Sequence, residues 1–127
     1  MQFHDYHLRG YTVSEFGTKI TLHLVWNYPG QTRDDSFIEF GDVACYHFSH
    51  TDGTILTEID EVPLDVLLKN EEKFLVNAAH QDGVRFWEEN SSRYLDQLKR
   101  KGYRAWQLDS AIGFTGFVVA KSVGQKR

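Results

Sequence analysis

The chain has 127 residues, a formal net charge of −4 and one cysteine. That length suits a single domain, 1–127, with a core of its own, and one thiol excludes an internal disulfide. The acidic balance argues against nucleic acid as a partner, and no apolar run approaches the ~20 residues of a membrane helix.

Aromatic residues make up 14% of the chain, nine of them Phe, so large rings are expected to dominate the core. The first ten residues lack a basic region followed by an apolar run, as in a secretory leader. Together with the lone thiol this points to the cytoplasm.

Residues 3–13 read as a first strand, with His4, Tyr6 and Leu8 on one face and Asp5, His7 and Arg9 on the other. Gly10 marks a bend or bulge, and 14–17 a turn. Over 18–26, Ile20, Leu22, Leu24 and Trp26 alternate with Lys19, Thr21, His23 and Val25, the pattern of a half-buried antiparallel strand. Residues 27–36, with Pro29-Gly30, Arg33 and Asp34-Asp35, read as an exposed loop.

The chain is organised around 37–62. Two alternating runs flank Asp52-Gly53, the dipeptide that favours a two-residue hairpin turn because both central positions need positive φ. Gly41-Asp42 interrupts the first run, either as a β-bulge, the favoured reading, or as a second tight turn. The hairpin register sets Tyr46 opposite Ile59 and Phe48 opposite Thr57. One face then carries Tyr46, Phe48, Ile55 and Ile59, and the other Cys45, His47, Glu58 and Asp60.

Pro63 suits the first turn of a helix, followed by Leu64, Leu67, Leu68, Phe74, Leu75, Ala78 and Ala79 at largely helical spacings, with an interruption at Lys69-Asn70. A second helix is predicted over 84–101. Its apolar stripe runs through Val84, Trp87, Tyr94, Leu95 and Leu98, and Gly102 sits at the left-handed C′ position. Residues 103–108 and 114–119 read as two further strands, and the polar tail after Lys121 as frayed. The predicted class is α+β: an antiparallel sheet of about six to seven strands, with two or three helices inserted before the last two strands and packed on one face.

Cys45, His47, Glu58 and Asp60 are the candidate polar face. A thiol, an imidazole and two carboxylates together suggest a nucleophile with its base, or a metal site. Against this, carboxylates raise rather than lower a thiol pKa, and zinc asks for three or four good ligands. A solvated sheet face accounts for the same pattern, and no catalytic residue, metal or cofactor is assigned. His4 and His7 point to opposite faces of a strand, which separates them. Trp26, Tyr28, Trp87, Tyr94, Tyr103 and Trp106 read as core before they read as a ring-binding groove.

The block Gly102-Tyr103-Arg104-Ala105-Trp106-Gln107-Leu108-Asp109-Ser110, leading into Ile112-Gly113-Phe114-Thr115-Gly116-Phe117-Val118-Val119-Ala120, resembles small bacterial proteins of uncharacterised families. So does Ile38-Glu39-Phe40-Gly41-Asp42-Val43. Some of these families are grouped with immunity proteins of contact-dependent toxin systems. The resemblance implies a protein-binding role and supplies no catalytic residues.

The expected function is therefore non-enzymatic protein binding, in the style of an inhibitor or immunity protein. The acidic balance, the loop 30–35 and Glu58, Asp60 and Glu61 would suit a basic partner. A homodimer through sheet edges or the aromatic surface is a further expectation. The alternative is a small enzyme or ligand-binding protein using the Cys45/His47/Glu58/Asp60 face.

Overall fold

The computed structural model describes residues 2–73 and 91–126. The strands are β1 (Gln2–Ser14), β2 (Lys19–Trp26), β3 (Asp34–Gly41), β4 (Cys45–Val62), β5 (Arg104–Ala120) and β6 (Ser122–Lys126). Helices α1 (Leu64–Asn70) and α2 (Ser91–Arg100) lie between β4 and β5 in the chain. The class is α+β, mostly antiparallel sheet, with sheet order β5-β4-β1-β2-β3-β6.

The two edge strands, β5 and β6, are separated only by Lys121. The sheet therefore rolls until its edges meet at one corner. There Lys121 N–H donates to the Gly41 carbonyl (3.1 Å), and Ala44 N–H to that of Val119 (2.8 Å). Alternation along each strand fills the roll. Ile20, Leu22 and Leu24 of β2 and Ile38 and Phe40 of β3 are fully buried, packed with Ile59 of β4 and Trp106, Leu108 and Val118 of β5. Each such side chain contributes about 1.5–3 kcal/mol by leaving water.

The outer face of β4 and β5 carries a second cluster. Leu64, Leu67 and Leu68 of α1 and Tyr94 and Leu98 of α2 cover Cys45, Ala105, Phe117 and Val119. The i, i+3, i+4 spacing of the α1 leucines makes its buried stripe. At the end of α2, Gly102 adopts φ 82. Its N–H donates to the Lys99 carbonyl (3.2 Å) and that of Tyr103 to Leu98 (3.0 Å), the paired bonds of a Schellman cap.

Several expectations change. There is no hairpin at Asp52-Gly53: β4 continues through it and pairs along β5, with Tyr46 opposite Val118 and Ile59 opposite Leu108. The register shifts between His50 and Ile55, so the turn-prone dipeptide produces a ladder irregularity instead of a reversal. Gly41-Asp42 is neither a bulge nor a hairpin turn. It ends β3, and β4 begins beside different neighbours. The two strands expected over 103–119 are one, β5, and the tail after Lys121 is β6, paired with β3. The Gly10 bulge in β1 is present, between Leu8 and Gly10. The helical pattern over 74–90, with Trp87, and the side chain of Ile55 lie outside the described residues.

Candidate functional site

The long β4 separates the four residues of the expected polar face. Cys45 opposes Val119 and His47 opposes Phe117, whereas Glu58 opposes Asp109 and Asp60 opposes Gln107. All four keep to the outer face, but the two pairs stand roughly 30 Å apart along the paired β5 at the usual rise per residue. The structure does not bring them together, because the hairpin that would fold one pair onto the other is not made.

Cys45 is also enclosed. It is buried beneath α2. Burial pushes its thiol up to about 12, against a smaller opposing effect from a hydrogen bond with Tyr94. A thiol held protonated under a helix offers no nucleophile at neutral pH. Among the described residues no group of three or more His, Cys, Asp or Glu is placed to hold a metal ion.

The carboxylates expected to face a basic partner are largely engaged within the chain. Tyr6 donates its hydroxyl to Asp34 Oδ2 (2.6 Å). Glu61 forms a two-point ion pair with Arg104, through Nε (3.0 Å) and Nη2. Asp35 accepts from Arg33 through Nε (2.6 Å) and Nη2 (3.1 Å) and pairs with His23 Nε2 (2.8 Å). The Arg33 guanidinium, then the His23 ring, hold the Asp35 carboxyl well below the usual range.

Two surface features stand out instead. The first is the tip between β1 and β2. Here Glu15, Phe16 and Gly17 all have positive φ, of 53, 58 and 89°. Thr18 closes the turn, its N–H (3.1 Å) and Oγ1 (2.7 Å) both donating to the Glu15 carbonyl. Gly17 suits this backbone, while a bulky residue in the left-handed region is an outlier. The Phe16 ring is fully exposed, and Val13 beside the tip is exposed as well.

The second feature is an open groove of about 430 Å³ on the outer face of β1 and β2, lined by His7, Arg9, Val25, Asn27 and Arg33. His7 and Val25 are directly opposed across the two strands. The His7 ring leans on Tyr28 (5.6 Å between centroids), and Tyr28 donates its hydroxyl to the Asp5 carbonyl (2.6 Å). Tyr28 also meets Trp26 edge-on at 4.7 Å, and the Trp26 Nε1–H is held by Gln31 Oε1 (2.8 Å). Aromatic packing thus fixes one wall of the groove.

Neither feature stood out in the sequence. Phe16 carried one signal, a large ring in a predicted turn where Asn or Gly is favoured. The groove joins a strand to a loop, and only the β1–β2 register brings them side by side. Compared with protein-family models, curated proteins and solved structures, the chain matches none.

Proposed function

We propose that this chain is a non-enzymatic protein-binding domain, acting as an inhibitor or immunity protein does, and that the β1–β2 tip is its point of contact. The observation that carries this reading is Phe16, a fully exposed ring on a left-handed backbone. That conformation costs a residue with a Cβ roughly 1–2 kcal/mol. Folding gains nothing visible in return, since the ring is in water. Strain kept at an exposed aromatic is the mark of a contact residue, and aromatic anchors carry much of the affinity at protein interfaces.

The partner would offer an apolar pocket to the ring. Its overall charge is not set by Asp35 and Glu61, which are matched by Arg33 and Arg104. The test is affinity capture from the source cell at low salt, with the wild-type chain and Phe16→Ala side by side. A partner held by the wild type and released by the variant supports the reading. A partner held equally by both, or none recovered by either, counts against it. Sedimentation of the purified chain separates a foreign partner from a second copy.

A further inference from the structure

We propose that the groove on the outer face of β1 and β2 is a binding site for an anionic group, a phosphate or a carboxylate, carried by a ligand with an apolar portion. The lining supplies two guanidinium groups, Arg9 and Arg33, the Asn27 amide and the His7 ring over an aliphatic floor, Val25. No carboxylate is among its lining residues, and Asp35 stands outside the lining, bonded to Arg33. Its volume of about 430 Å³ lies within the range of small-molecule sites, roughly 300–1,000 Å³.

Arg33 is built for this task. Asp35 holds its Nε and one Nη2 hydrogen, and His23 holds Asp35 in turn. The His23 ring is itself fixed by stacking on Phe37, 4.4 Å between centroids at 25°. The guanidinium is therefore positioned before any ligand arrives. Its Nη1 group and remaining Nη2 hydrogen form a second fork, the geometry that takes phosphate or carboxylate oxygens in pairs. Arg9 emerges at the β1 bulge, between Leu8 and Gly10, and also lines the groove. Val25 is buried although it lies on the outer face, so it forms a floor against which an apolar portion can rest.

The test is a titration of the full chain followed by amide NMR shifts, with inorganic phosphate and with succinate, at ionic strength held constant by chloride. Saturable shifts confined to His7, Arg9, Val25, Asn27 and Arg33 are expected for at least one of the two anions. Whichever anion saturates identifies the ligand's charged group. Arg9→Gln leaves the Asp35 clamp intact and is expected to weaken binding about tenfold, the loss of one charge-assisted contact. Arg33→Gln is expected to weaken it more. Shifts spread evenly over other cations such as Lys99 and Lys126, or an affinity unchanged in Arg9→Gln, would overturn the proposal. So would no saturable shift with either anion.

Discussion

Gly116 of β5 lies directly opposite Phe48 of β4, with no room for a side chain. A Cβ at 116 would stand 2.5 Å from the Phe48 ring and 2.7 Å from the carbonyl oxygen of His47. The ring packs on the bare backbone and against Tyr11 and Phe114, at 4.9 and 5.3 Å between centroids. Gly116→Ala is expected to destabilise the fold by about 1–3 kcal/mol, because part of the obstruction is backbone. Urea denaturation measures this, and an unchanged midpoint would mean that the two strands are not so closely apposed.

The alkaline limb of stability should report on Cys45 and Tyr94. Burial is the main cause raising both groups above their ordinary values. Each therefore contributes stability that is fully present below its unfolded pKa and lost as pH rises towards the folded one. For Cys45 the loss begins near pH ~8.5, and for Tyr94 near ~10. Between these values the slope from Cys45 is about 1.4 kcal/mol per pH unit. Cys45→Ala is expected to flatten that slope, whatever it does to stability at neutral pH. A slope equal to wild type would place the thiol in solvent.

On the acid side, Asp35 has a lowered pKa through Arg33 and then His23. Its contribution is present above the unfolded value of ~3.9 and lost as pH falls below it. Asp35→Asn is expected to flatten the acid limb in that window. Urea denaturation between about pH 2 and 5 measures this limb, and a slope equal to wild type would mean that Asp35 is not paired with Arg33 in the fold.

β6 makes the polar tail a structural element. Gln125 Nε2 donates to the Oγ of Ser36 (2.9 Å), a residue with no exposed surface. Gln125→Ala is expected to cost about 1–3 kcal/mol by leaving that hydroxyl without its donor. Ending the chain at Lys121 should cost more, since the edge of β3 is then bare. Thermal melting of the two variants checks the order, and equal melting temperatures for wild type and truncation would show β6 to be dispensable.

What could be read from the sequence was what local pattern determines. Ile20, Leu22 and Leu24 declare β2 by alternation, and Leu64, Leu67 and Leu68 declare α1 by helical spacing. Gly102 declares the end of α2 because only the left-handed cap needs it there. Asp52-Gly53 misled for the complementary reason. Its turn preference is local, but β5 pairs with β4 on both sides of it in one antiparallel direction, so the dipeptide bulges the ladder without reversing the chain. β6 has almost no apolar pattern and is held by backbone pairing to β3, which no periodicity reveals. The polar face of β4 kept its alternation and lost its proximity, as expected when the parity is right and the pairing partner wrong.

Phe16→Asn tests the role of the β1–β2 tip most directly, with melting temperature and partner capture measured on the same preparation. Asn tolerates the left-handed backbone that Phe16 is forced into. The variant is expected to melt no lower than wild type, and up to about 4 °C higher if ~1 kcal/mol of strain is relieved. It should also lose the partner, with affinity down about thirtyfold or more, as for an interface anchor. A folded variant that holds the partner as tightly as wild type would contradict the claim that the β1–β2 tip is the binding surface.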